Sequence, residues 1–218
     1  MNTNTFGKLL IQKKSFIGMV YFILASQLFI TFFVTKYLRN HQDIYHFSIK
    51  FFIPLIIIPF IIIFVIPYCS TIVQFLLFCL FSFILGILSI GASTYVSNEI
   101  IEVALISSMG VFISMSLIGV IIASMGIDLS FTMFMMCILL VGLLTVRIVL
   151  LFVPVSSQVY ANIATISIIL FSLFVGIDTN RMLQKNYNLS AVETAMTFYL
   201  DIENLFSNFI EIGLNQGS

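Results

Sequence analysis

Two aspartates, Asp178 and Asp201, stand 23 residues apart near the end of a chain that is otherwise almost entirely hydrocarbon. A carboxylate at membrane depth costs roughly 3 kcal/mol on insertion scales, so such a group faces a partner, a cavity or an ion path. Brought into contact, two carboxylates do not both ionise cheaply; they hold one proton between them and titrate as a unit. The chemistry open to the pair is proton sensing beside an ion path, or general acid/base catalysis.

The residues between them predict a helical hairpin. Ser190-Ala191-Val192-Glu193 matches a capping box, with Ser190 as N-cap and Glu193 reaching back, so a helix is expected to start there after a turn over 186–189. With the preceding helix running to that turn, each aspartate lies about 11 residues, or ~17 Å, from its centre, and antiparallel helices bring the two acids to one level. Arg181 and Lys185 follow Asp178 by three and seven residues, on its face; they are counter-charges, or ordinary cations suiting a helix C-terminus.

On the last helix Thr194, Thr197, Asp201, Asn204 and Asn208 fall within about 80° at 100° per residue, a narrow polar stripe. Such a helix either lines a wet path inside a bundle or lies on the membrane surface. The absence of Lys and Arg after Lys185 favours the central placement.

The elements that must hold this hairpin are read from composition. Of 218 residues 61% are hydrophobic and 8% charged, with a mean hydropathy of +1.17, which places the chain among polytopic membrane proteins. The fold class expected is an all-α integral membrane bundle, a single domain over residues 1–218. Its first six spans lie near 16–35, 49–68, 72–95, 103–125, 131–153 and 159–177, and the polar-striped seventh near 191–212. Pro54, Pro59 and Pro67 should kink the second span or end it early. Small residues four apart, Ser82/Gly86, Ser89/Ser93, Gly110/Ser114 and Gly119/Ala123, are candidate packing faces.

Lys8, Lys13 and Lys14 precede the first apolar run as in a signal peptide, but the run is long enough to span and lacks a small-residue cleavage pattern, so a retained helix is expected. A net charge of zero without a basic run excludes nucleic acid and polybasic lipid recognition as partners. The three cysteines, Cys69, Cys79 and Cys137, form no CxxC pair and read as small hydrophobes. With a cytoplasmic N-terminus, five cations lie inside against four outside, a slight preference for that orientation.

The hairpin resembles the Bax inhibitor-1 family, also called the transmembrane Bax inhibitor motif family. Val175-Gly176-Ile177-Asp178-Thr179 is similar to the family's sixth-helix end, and Ala195-Met196-Thr197-Phe198-Tyr199-Leu200-Asp201-Ile202-Glu203-Asn204-Leu205-Phe206 to its last-helix signature. A fainter likeness covers Ala92 to Ile118. The resemblance implies a seven-transmembrane-helix bundle with the C-terminal helix central, a cytoplasmic N-terminus, and a pH-sensitive calcium leak gated by protonation of Asp178 and Asp201. It also implies a cytoprotective, anti-apoptotic role. Members reside in bacterial plasma membranes and in the endoplasmic reticulum and Golgi, so an integral multi-pass location is implied without choosing the compartment. Some members pair the acids with an arginine on the second helix; Ile49 to Tyr68 contains none, so Arg181 or Arg147 would have to substitute. Glu203, where the family has an apolar residue, is a second departure.

Glu99 and Glu102, three apart, are a candidate cation entrance or a solvated turn; Asp128 is read as solvated. His41, Asp43 and His46 lack regular ligand spacing and also read as solvated, so no metal and no cofactor is expected. Expected partners are calcium or other cations, the lipid bilayer and other membrane proteins. Two rival functions stand beside the leak channel: a non-conducting regulator that binds other membrane proteins, its acids merely pinning the last hairpin, and an intramembrane aspartyl protease. The protease reading, and with it an enzyme, is disfavoured because neither aspartate follows a glycine-x-glycine sequence.

Overall fold

The computed structural model describes residues 3–39, 49–93 and 96–216. These form seven α-helices and no strand: α1 Thr3–Arg39, α2 Ile49–Val65, α3 Thr71–Ser93, α4 Asn98–Ser124, α5 Thr132–Leu150, α6 Ser157–Met182 and α7 Ala191–Gln216. His41, Asp43 and His46 lie outside the described residues. Among the described residues five helices, α1, α3, α4, α5 and α6, are long and apolar enough to cross a membrane. The α2 helix is shorter, and α7 carries four acids in its 26 residues.

Local chemistry explains where the helices start and stop. The α2 helix absorbs Pro54 and Pro59 but gives way at Ile66–Tyr68, where Pro67 sits in a 3-10 turn. The α4 helix ends in a left-handed glycine, Gly126 with φ 82°. There the Ile127 N–H donates to the Ile122 carbonyl at 3.3 Å, the closure of a Schellman motif. The α1 helix begins well before the expected 16, because nothing between Thr3 and Phe16 breaks it. The capping box is present at the head of α7: Ser190 N–H donates to Glu193 Oε2 at 2.8 Å and Glu193 N–H to Ser190 Oγ at 3.1 Å.

The chain forms two compact units. The first comprises α4, α5, α6, the opening turns of α1 and α7 from Leu200 onward. Its centre is the α4–α6 contact, where Ala104, Ser108, Phe112, Ser116, Gly119 and Ala123 form the buried stripe of α4. A Cβ on Gly119 would stand 2.9 Å from Thr179 Cβ and 3.2 Å from the Asn180 nitrogen, so the two backbones meet there. Of the small pairs expected on α4, Gly119/Ala123 is buried, whereas Gly110 and Ser114 are exposed and a Cβ on Gly110 meets nothing within 4 Å.

The second unit holds the rest of α1 with α2, α3 and α7 as far as Tyr199. Here Gly86 of α3 abuts α1, its Cβ position 2.8 Å from Val34 Cβ. A buried polar network links the helices: Ser82 Oγ donates to Gln27 Oε1 at 2.9 Å, and Thr31 Oγ1 lies 2.6 Å from the Tyr199 hydroxyl. The Tyr199 ring is fully buried, edge-on to Phe78 and Phe81. Gln74 accepts from Ser190 Oγ at 2.8 Å and so ties α3 to the cap of α7.

Candidate functional site

Asp178 sits on α6 four residues before its last helical residue, and Asp201 ten residues past the first of α7, both in the first unit. The connection is longer than the spacing assumed, since α6 ends at Met182 and α7 starts at Ala191. The acids still fall within electrostatic reach, the charge of Asp178 acting on Asp201. Their residues are 6% and 5% exposed.

One cation is paired with Asp178. Arg181 Nη1 donates to Asp178 Oδ1 at 3.0 Å, one turn along α6. Asp178 Oδ2 and Asp201 Oδ2 are buried and have no hydrogen-bond partner among the described residues. An unsatisfied buried acceptor costs about 1–3 kcal/mol, more when charged. Two carboxylates against one guanidinium leave a shortfall of one positive charge, which one proton or one bound cation would supply.

The end of α6 that carries Asp178 is held on several sides. Every residue from Phe174 to Asn180 is buried, so this turn has no solvent face. Thr179 Oγ1 donates to Ser116 Oγ at 3.3 Å. Asn180, fully buried, clamps the α4–α5 loop: its Nδ2 donates to the Ile127 carbonyl at 2.9 Å and its Oδ1 accepts from Leu129 N–H at 2.9 Å. Lys13 Nζ donates to the carbonyls of Met182 at 2.9 Å and Gln184 at 2.5 Å, which caps the helix with a cation where its dipole favours one. Lys185 is exposed in the turn beyond.

The other sequence candidates are placed as follows. Arg147 is not on the aspartates: its Nη1 bonds Glu211 Oε2 at 2.5 Å, and its Nη2 bonds Asn208 Oδ1 at 2.6 Å and Ser167 Oγ at 3.3 Å. The polar residues of α7 turn their donors into their own helix. Thr194 and Thr197, in the second unit, donate to the carbonyls of Ser190 and Glu193. Asn204 and Asn208, in the first, donate to those of Leu200 and Asn204. Glu99 and Glu102 are exposed in the opening turns of α4. Asp128 is exposed in the loop that Asn180 clamps, and hydrogen bonds from Ser130, one of them from its N–H at 2.8 Å, hold its carboxyl below the usual range.

Sequence reasoning missed Lys13, Asn180 and Glu211 as members of these clusters. Their partners lie 53 to 171 residues away where the bonds are longest in sequence. Asn180 alone carried a local signal, being a polar residue two positions from Asp178 inside a helix. No group of three or more potential metal-ligating side chains occurs among the described residues.

The profile of the family described as inhibitor of apoptosis-promoting Bax1 matches residues 13–218, essentially the whole chain. No curated protein matches the chain.

Proposed function

The chain belongs to the Bax inhibitor-1 family, an integral multi-pass membrane protein, and from that premise we propose that it is a pH-sensitive cation leak, with calcium the ion carried. The observation that carries this reading is the charge shortfall at Asp178 and Asp201: among the described residues, two buried acids, each with an oxygen that has no hydrogen-bond partner, stand against the one guanidinium of Arg181 that bonds Asp178. Protons and cations compete for the same deficit, so acidity and cation passage are linked at one place. Arg181 takes the latch role for which the second helix offers no arginine. In this reading α2 and α7 also cross the bilayer, and α7 is the central helix of a seven-span bundle. Burial of Phe198, Tyr199, Asp201, Ile202 and Leu205, within about 160° of α7, and of Met196 and Asn208 beyond them supports that placement. Loss of calcium from a store through such a leak is the route to a cytoprotective role.

The full chain reconstituted in liposomes tests this. Calcium flux is expected to change between pH 6 and pH 8, and Asp178→Asn and Asp201→Asn are each expected to flatten that change. Identical flux for wild type and both variants across this range would sink the proposal. If the acids only pin the last hairpin of a non-conducting regulator, the variants melt earlier with no effect on flux, so melting curves recorded alongside separate the two readings.

A further inference from the structure

The α7 face that carries Asp201 continues through Asn204 and Asn208 to Glu211, all within about 80° of one another. The ten steps from Asp201 to Glu211 run ~15 Å along the helix. At the far end of this row stands Arg147 of α5. Its guanidinium is bonded to Glu211 Oε2, to Asn208 Oδ1 and, from α6, to Ser167 Oγ. Side-chain exposures of 30% for Arg147 and 23% for Glu211 put the pair partly inside the protein.

We propose that Arg147 is a second latch and selectivity residue of the ion path: bonded to Asn208 and Glu211, it closes the end of α7 remote from the aspartates. The inference rests on the leak reading given above. A guanidinium at the end of a row of oxygen atoms repels an approaching cation, as arginines do at constrictions of other pores. In the closed arrangement Glu211 neutralises Arg147, and the last oxygen of the row, Asn208 Oδ1, is occupied. Release of Arg147 uncovers both at once, and a blocked neutral end becomes an acidic one in line with Asp201. An open apolar groove of about 270 Å³ on the outer face of α5 lies beside Arg147, lined by Leu144, Ile148, Leu151 and Tyr160. That groove can take the hydrocarbon stem of Arg147 while the guanidinium, near the C-terminal end of α5, reaches toward the membrane edge.

The test uses the full chain in liposomes with a calcium-sensitive dye inside, comparing wild type, Arg147→Gln, Arg147→Lys, the exchange Arg147→Glu with Glu211→Arg, and Asp178→Asn. Arg147→Gln is expected to raise calcium flux at pH 7 by about tenfold, corresponding to about 1.4 kcal/mol of latch energy. Arg147→Lys, which keeps the charge but loses the forked geometry, is expected to raise it by about threefold and serves where the neutral variant does not fold. The exchange should return flux to near the wild-type rate. Wild-type flux in both single variants overturns the latch, as does an exchange variant that leaks like Arg147→Gln. The leak reading survives that result if Asp178→Asn alters the pH profile. Absence of flux from every protein at every pH overturns both.

Discussion

Replacing Gly119 by alanine adds one methyl group where α4 meets α6. The new Cβ would stand 2.9 Å from Thr179 Cβ and 3.2 Å from the Asn180 nitrogen, and closer still to the Gly176 carbonyl oxygen. Two of these three atoms are backbone and cannot rotate away, so the helices must separate or the residue must strain. Overpacking of this kind costs about 1–3 kcal/mol, and at ~2–4 °C per kcal/mol for a chain of this size the midpoint falls by roughly 2–12 °C. The control lies on the same helix: a Cβ on Gly110 meets nothing within 4 Å, and alanine is favoured over glycine in a helix by up to ~1 kcal/mol. Gly110→Ala should therefore melt at or above wild type. Circular dichroism at 222 nm in one detergent, all three proteins side by side, makes the comparison. Equal midpoints for the two variants would refute the close approach of α4 and α6. Because the disturbed residues are the two that follow Ile177 and Asp178, Gly119→Ala should also alter calcium flux, which Gly110→Ala should leave alone.

Two further outcomes are expected. Ser190→Ala removes the α7 cap and the bond to Gln74; it should cost about 0.5–2 kcal/mol in thermal melts, and Ser190→Thr should recover most of that. Asn180→Ala releases Ile127 and Leu129 from the end of α6, each bond being worth about 0.5–1.5 kcal/mol. Amide hydrogen exchange over 125–131 should rise while that of α5 does not, and unchanged protection of the loop would show that Asn180 is not its clamp.

The parts of this fold that could be read from the chain are those encoded by near neighbours. Ser190 and Glu193 are three apart, so their capping box was visible. Pro54, Pro59 and Pro67 announced a kink or an early end of α2 without saying at which of them; the helix runs through the first two and ends just short of the third. The aspartates stood out because an acid is rare in such surroundings, and the motif around Asp201 is specific. The partners of those acids were harder to find. Arg181 follows Asp178 by one turn and was found, but Arg147 pairs with Glu211, 64 residues away, and no local spacing announces such a bond. Small residues four apart identify a face of a helix without saying which way it points, which is why Gly119 is buried and Gly110 is not. The polar stripe of α7 was likewise ambiguous. Thr194, Thr197, Asn204 and Asn208 each satisfy a donor within the helix itself, so in a membrane their presence alone carries little cost and little information.

Those internal bonds have a consequence for which ions α7 can face. An asparagine amide offers both a donor and an acceptor, and in Asn204 and Asn208 the nitrogen is already committed to a carbonyl one turn back. What each amide has left to offer is chiefly its oxygen, the negative end of the dipole. In Asn208 that oxygen already accepts from Arg147 Nη2 at 2.6 Å, so it becomes available to a positive ion once the guanidinium is released, and neither amide keeps much to give a chloride. In the leak proposed above, discrimination by the sign of charge would rest in part on uncharged residues, and it would persist at any pH at which the helix remains folded.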